Sequence, residues 1–223
     1  VTYCDYGTAD VLRLEDVEKP VPGDDELLVR VHAAGVNPLD WHYMRGTPYL
    51  MRLSSGLRKP KDTRLGVDYA GTVEAVGRNV TRFKPGDQVF GGRSGALAQY
   101  VVAKQDGAVA LKPASVSFEQ AGAVAIAATT ALQGLRDAGR LEAGDKVLIN
   151  GASGGVGTFA VQIAKSMGAE VTAVCSTRNV ELVRSLGADH VVDYTRDDYT
   201  GVDARYDVIL DNVGNRSHAE NRR

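Results

Sequence analysis

The stretch Val147–Met167 reads VLINGASGGVGTFAVQIAKSM, and the order of its parts decides the fold. A short apolar run, Val147-Leu148-Ile149, ends in a turn of glycine and small residues. A helix-period pattern follows at Val156, Phe159, Ala160, Ile163, Ala164 and Met167. Strand, glycine turn and amphipathic helix in that order form the context of a dinucleotide-binding fingerprint. The turn itself, Ala152-Ser153-Gly154-Gly155-Val156-Gly157, is an A-x-G-x-x-G version of G-x-G-x-x-G. Ala152 replaces the first glycine, so the backbone there should need no positive φ. Gly154 lets the backbone approach a pyrophosphate, and Gly157 lets the new helix lie close to the strand. The helix start offers unpaired N–H groups and the positive end of its dipole to the phosphates. A tight βα turn in some other α/β protein has the same residues, and the next segment bears on that choice.

That segment, Glu170–Asn179 (EVTAVCSTRN), reads as a second parallel strand, with Gly168 closing the preceding helix. An NAD-type site places Asp or Glu at the end of this strand to bind the ribose hydroxyls. Here the strand ends Cys175-Ser176-Thr177-Arg178, two hydroxyls and a cation without an acid. Ser176 and Arg178 can bind a 2′-phosphate that an acid would repel, so NADPH is expected over NADH. Arg178 as a solvated cation at a helix start is the plainer alternative.

Composition sets bounds around this motif. The 223 residues are 43 % hydrophobic and 24 % charged, ordinary for a soluble globular protein of one or two domains. A net charge of −2 gives no electrostatic case for nucleic acid or an anionic membrane as main partner. No apolar run approaches a membrane span and no signal-peptide pattern is present. Two cysteines far apart, Cys4 and Cys175, exclude a disulfide framework and suit a reducing cytoplasm.

The first half is strand-rich and glycine-punctuated. Strands are expected at Leu27–Ala34, Gly71–Val76, Leu97–Ala103 and Ala108–Leu111, with Phe83–Phe90 a turn feeding a short strand. Together they suggest a small β-barrel-like domain. Pro38–Arg45 is the exception, a short helix with Asn37 at its N-cap and proline first. From Ser117 the periodicity changes. Ser117–Ala125 starts with a capping pattern, and Thr129–Ala138 continues as helix. Beyond it, strands and helices alternate at Lys146–Asn150, Gly155–Met167, Glu170–Cys175, Asn179–Leu186, His190–Asp193 and Tyr206–Leu210, which means a parallel sheet. The domains are set at residues 1–122 and 123–223. Both ends look cut: the chain starts at Val1 and stops at Asn221-Arg222-Arg223 inside a helix-like pattern.

The segments GVNPLDWHYMRG (Gly35–Gly46), LGVDYAGTVEAVG (Leu65–Gly77), FKPGDQVFG (Phe83–Gly91), NGASGGVG (Asn150–Gly157), LGADHVVDY (Leu186–Tyr194) and LDNVGN (Leu210–Asn215) are jointly specific. With them the chain resembles the zinc-independent medium-chain dehydrogenases/reductases, and among these the zeta-crystallin-like NADPH:quinone oxidoreductases. The resemblance implies an α/β protein with a GroES-like β-barrel catalytic domain and a Rossmann domain holding NADPH. It further implies hydride transfer to a quinone or similar conjugated carbonyl, and commonly a homodimer. Zinc-dependent members carry Cys where this chain has Asn37, and a His-Glu pair where it has Val67-Asp68. Their cysteine-built structural lobe falls where this chain has only Gly91–Gly95, and His32, His42, His190 and His218 show no metal spacing. No metal is therefore expected. Without a Lewis acid, acceptors whose conjugation already spreads the developing charge suit the chemistry.

By the same resemblance, Asn37 and Asp40 line the substrate cleft, and Tyr43 is a candidate proton donor or stacking wall. Asn37 is equally the N-cap of the helix at Pro38, and Tyr43 a packed aromatic. Thr130 matches a threonine near the nicotinamide, Tyr194 a tyrosine on the adenosine ribose or its phosphate, and Asn212 sits where a fourth parallel strand meets the cleft. Relatives continue beyond this point, so part of the nicotinamide wall is expected to be missing and a sheet edge left exposed. An enoyl or 2-alkenal reductase is the alternative within enzymes; a non-catalytic NADPH-binding protein is the alternative outside them.

Overall fold

The computed structural model describes residues 1–199 and 205–217. The chain divides into two compact units, Val1–Ile126 and Ala127–Arg223. His218 and the helix-like ending at Asn221–Arg223 lie outside the described residues.

The first unit is built on an antiparallel sheet of β1 (Glu26–Gly35), β2 (Asp68–Val76), β3 (Gln88–Gly92), β4 (Tyr100–Lys104) and β5 (Val109–Leu111), in the order β4-β1-β2-β3-β5. Alternation puts Leu27, Val29, Tyr69, Val73, Val89 and Val101 into one core, each large side chain contributing roughly 1.5–3 kcal/mol. The β1–β2 register slips at Glu74 of β2, opposite Leu28 and Val29, and at His32 of β1, between Val31 and Ala33, and each extra residue adds local bend and twist to its strand. Helix α1 (Pro38–Arg45) follows β1 as expected, ending in Gly46 at φ 60°. The segment after it folds into a 3₁₀ turn, Tyr49–Met51, and the short helix α2 (Arg52–Ser55). Helix α3 (Phe118–Ala121) begins with a full capping box: Gln120 N–H donates to Ser117 Oγ at 3.1 Å and Ser117 N–H to Gln120 Oε1 at 2.9 Å.

Several sequence boundaries moved: the helix expected over Ser117–Ala125 stops at Ala121, and the strand expected from Tyr206 runs from Val208 to Asp211. Strand β2 starts at Asp68 rather than Gly71, because Asp68 is a buried polar residue and breaks the apolar alternation. The strand expected from Leu97 starts at Tyr100: Leu97 N–H is spent on Leu65 O at 3.0 Å, off the sheet ladder. Helix α4 (Ala125–Leu132) begins before Thr129 and widens into a π-helix at Gln133–Ala138, where Gly139 N–H reaches Gly134 O at 2.9 Å.

The second unit is the parallel sheet. Among the described residues it holds β6 (Lys146–Asn150), β7 (Glu170–Cys175), β8 (His190–Asp193) and β9 (Val208–Asp211), in the order β8-β7-β6-β9. Helices α5 (Gly155–Ser166) and α6 (Val180–Ser185) connect them. Strands covered on both faces read as unbroken apolar runs, and β6 does so. Val147 and Ile149 join Val171, Ala173, Ala160 and Ala164 on one face, while Leu148 meets Val174 and Tyr199 on the other. The buried stripe of α5 is Gly157, Ala160, Val161 and Ala164, small enough to bring the helix close to the sheet.

Candidate functional site

The glycine turn has the conformation its sequence requires. Positive φ falls on Gly151 (76°), one residue before Ala152, which is fully buried and donates its N–H to Val174 O at 3.0 Å. Gly154 is the extended N-cap of α5 and has no side chain to cap the helix. The N–H groups of Gly155, Val156 and Gly157 open the helix, so none has a carbonyl four residues back within it. Gly154 and Gly155 are exposed. A Cβ on Gly157 would stand 2.1 Å from Gly151 O and 2.7 Å from Ala152 Cα, so only glycine permits this helix-to-turn approach. The start of α5 therefore presents donors and dipole at the carboxyl end of β6.

Other expected residues gather at the same strand ends. Asn179, which sequence reading did not single out, donates from Nδ2 to Ser153 Oγ at 3.0 Å and to Ser176 Oγ at 3.3 Å, tying the glycine turn to the end of β7. Arg178 is exposed beside them and makes no ion pair among the described residues. Tyr194 follows β8, exposed, with its N–H on Cys175 O at 3.1 Å. Asn212 follows β9, but its donors turn inward: backbone N–H and Nδ2 both reach Asn150 O, at 3.2 and 3.3 Å. Thr130 is exposed on α4, and no hydrogen bond among the described residues ties it to this group. An acid does come near the end of β7, from the neighbouring strand. Asp193 of β8 accepts from Thr177 Oγ1 at 2.5 Å and from Thr195 Oγ1 at 2.7 Å, and pairs with Arg196 at 3.6 Å. Hydrogen bonds from Thr177 above all, with Thr195 and Arg196, hold its carboxyl below the usual range.

In the first unit, Asp40 and Tyr43 line a cavity of about 380 Å³ together with Tyr3, Leu65, Val67 and Ile126. Asp40 is buried and both its oxygens are committed. Oδ2 accepts from Asn37 N–H at 2.8 Å, completing the reciprocal half of the α1 capping box, and Oδ1 accepts from Gly66 N–H at 3.0 Å. Asn37 occupies the N-cap position, but its side chain turns elsewhere: Nδ2 donates to Asp68 Oδ2 at 2.9 Å, and Asn37 is not part of the cavity wall. Asp68, only 1 % exposed, spends its other oxygen on Ile126 N–H at 2.9 Å. Burial raises both carboxyls above their ordinary value, against the hydrogen bonds that favour their charge. Burial likewise pushes the Tyr3 hydroxyl up to about 12, so it stays a neutral phenol. The Tyr43 hydroxyl is half-buried and unbonded among the described residues.

Asp68 and Asn150, like Asn179, were not picked out as site residues from the sequence; the signal was a polar side chain interrupting an apolar run at the start of β2 and ending one at the close of β6. Asn150 is 3 % exposed and shares Nδ2 among Asp211 Oδ1 (2.9 Å), Asn215 Oδ1 (3.0 Å) and the Tyr199 hydroxyl (3.1 Å). The Asn37–Asp68 pair does not fit a zinc ion: the amide donor is turned onto the carboxylate, and no three His, Cys, Asp or Glu converge as ligands among the described residues.

Residues 23–114 match the family model of the alcohol dehydrogenase GroES-like domain, and residues 155–221 that of the zinc-binding dehydrogenases. The fold superposes on the quinone oxidoreductase from Coxiella burnetii with a TM-score of 0.85 and 33 % identity, over 96 % of this chain and 68 % of that one. The chain belongs to the quinone oxidoreductase family of medium-chain dehydrogenases/reductases. The family's two-part architecture, GroES-like and Rossmann, accounts for the antiparallel and parallel sheets. The Escherichia coli quinone oxidoreductase, solved in complex with NADPH, matches with a TM-score of 0.77 and 28 % identity over 88 % of this chain and 59 % of that one. A 2-methylene-furan-3-one reductase of Solanum lycopersicum is 37 % identical over 226 residues, which is 96 % of this chain and 56 % of that protein. The chain thus spans little more than half the length of such a curated relative.

Proposed function

We propose that the chain binds NADPH along the carboxyl edge of the parallel sheet and serves metal-free hydride transfer to a conjugated carbonyl, a quinone or a closely related enone. The observation that carries this reading is the uncapped start of α5. Three helix-opening N–H groups, at Gly155, Val156 and Gly157, have no side-chain cap at the end of β6, Gly154 and Gly155 are exposed there, and Arg178 after β7 makes no ion pair among the described residues. Bound NADPH supplies the hydride. The chain's own residues divide the remaining work. The Ala152–Gly157 turn with Ser153 holds the pyrophosphate, Ser176 and Arg178 take the 2′-phosphate, Tyr194 flanks the adenosine ribose, and Thr130 and Asn212 serve the nicotinamide side. Asp40 fixes the start of α1 against Gly66, and the Tyr43 hydroxyl is left to orient the acceptor or pass it a proton. Asn37, its Nδ2 on Asp68 and outside the cavity wall, serves that acceptor only by fixing the start of α1.

The relative named as a 2-methylene-furan-3-one reductase gives specific support to the second reading, reduction of an enone or alkenal carbon–carbon double bond. The partner is a small molecule in either case. A cytoplasmic setting and a homodimer complete the proposal. No helix among the described residues is long and apolar enough to cross a membrane. The test is calorimetric titration with NADPH and NADH side by side, followed by NADPH oxidation with a panel of quinones and enones. Saturable NADPH binding with quinone-dependent oxidation supports the reading; preference for an enone over every quinone selects the second. Binding without turnover supports a non-catalytic nucleotide-binding protein, and absence of NADPH binding refutes all three.

A further inference from the structure

The cavity beside α1 has a mixed wall. Leu39, Leu65, Val67 and Ile126 give it apolar surface, while Lys61, Arg64 and Arg93 bring three cations to it. Only one acid answers them in the open. Asp62 accepts from Arg64 Nε at 3.2 Å and from Ser94 Oγ at 2.7 Å; burial opposes its charge, but these bonds hold its carboxyl below the ordinary range. The second acid of the wall, Asp40, has both oxygens on backbone N–H groups. Lys61 and Arg93 are exposed and make no ion pair among the described residues. Ser54 and Ser55 add no competing donor, since both hydroxyls bond Met51 O. Three cations against the Asp40 and Asp62 carboxylates leave the wall one positive charge in excess, and a concave wall focuses such a field into its opening, although the chain as a whole carries −2.

We infer that this cavity takes a conjugated acceptor bearing an anionic substituent, its ring on the apolar wall and its anion held by Lys61 and Arg93. The inference rests on the reading that the cavity beside α1 is the acceptor site, and it narrows the substrate class from conjugated carbonyls in general to negatively charged ones. The preference is electrostatic and appears in KM rather than kcat, because the anion lies away from the reacting carbon and is held equally before and during transfer. Salt weakens it.

The experiment compares a naphthoquinone sulfonate with the parent naphthoquinone, with NADPH, in the wild type and in the double variant Lys61→Gln/Arg93→Gln. The expected result is that the ratio of kcat/KM for sulfonate over parent falls about tenfold in the double variant, through KM, and that Lys61→Arg/Arg93→Lys restores it. Comparing ratios cancels the difference in reactivity between the two quinones. A ratio unchanged by the neutralising variant overturns the inference while leaving the hydride-transfer reading intact. If neither quinone is reduced, quinone reduction fails while the enone reading stands, and equilibrium binding of naphthalene sulfonate still decides the cavity. Binding about tenfold weaker in Lys61→Gln/Arg93→Gln supports the anion site, and equal binding overturns it.

Discussion

Asp68 joins two segments with one carboxylate, taking the Asn37 amide on Oδ2 and the Ile126 N–H on Oδ1. Replacing it with Asn leaves both contacts possible. The new carbonyl can accept from Ile126, and its NH₂ can donate to Asn37 once that amide rotates. Asp68→Asn is therefore expected to fold with its pH response altered. Burial raises the native carboxyl above its ordinary value of 3.8, so the folded wild type binds the proton more tightly than the unfolded chain. That contribution is fully present below pH 3.8 and is lost as pH rises through the raised native value. Denaturant unfolding across this window should show the wild type losing ground to Asp68→Asn as pH increases. A constant difference would mean that the burial of Asp68 is fully offset by its two donors. Near Arg178, Asp193 has its charge already answered by Thr177, Thr195 and Arg196. Arg178→Ala removes a charged hydrogen bond worth about 1.5–3 kcal/mol, so NADPH should bind about tenfold or more weakly while NADH hardly changes. Equal losses for both nucleotides, measured by calorimetry, would take the 2′-phosphate away from Arg178.

The turn between β6 and α5 shows how two glycines one residue apart differ in what they permit. At Gly157 an added Cβ meets backbone, Gly151 O at 2.1 Å and Ala152 Cα at 2.7 Å, which cannot move without lifting α5 off the sheet. At Gly155 it meets nothing within 4 Å, and φ is not positive. Gly157→Ala should therefore destabilise the parallel-sheet unit by about 1–3 kcal/mol, whereas Gly155→Ala should stabilise it by up to about 1 kcal/mol through the unfolded chain. Thermal melts of the two variants check the contrast, and similar effects would refute it. This element was also the most legible part of the sequence. Strands β6 and β7 lie where their apolar runs begin and end, because burial on both faces leaves no polar alternation to confuse the pattern. Strand β2 was less legible because Asp68 interrupts its apolar run. Among the site residues, the glycine turn could be read locally, since its chemistry is contained within six neighbouring positions. The Asp68 contacts could not. Its partners lie 31 residues away at Asn37 and 58 away at Ile126, and nothing in either local window announces the pairing. The cationic wall shares this limit: Lys61 and Arg93 meet at one cavity only because the chain between them returns through β2 and β3.

At the scale of the whole chain, the two units hold separate buried clusters, one around Leu27, Tyr69 and Val89 and the other around Val147, Ile149 and Val171. Every residue expected at the nucleotide belongs to the second unit, and most sit at strand ends beside that second cluster. A ligand that binds only the folded form stabilises it by about 2.7 kcal/mol when present at a hundred times its Kd. The backbone groups that first report this gain are the ones that must stay closed for the turn to hold its shape, namely β6, the start of α5 and β7. Amide hydrogen exchange with and without saturating NADPH should show those groups protected about a hundredfold further where opening of the unit governs their exchange. Asn150 makes the expectation specific. Its carbonyl holds Asn212 and its amide holds Asp211 and Tyr199, so fixing the end of β6 also fixes the segment after β9. Added protection should therefore extend to Val208–Asp211 although that strand contributes no phosphate contact. Protection confined to the glycine turn would instead mean that Asn150 only fills space at the end of its strand.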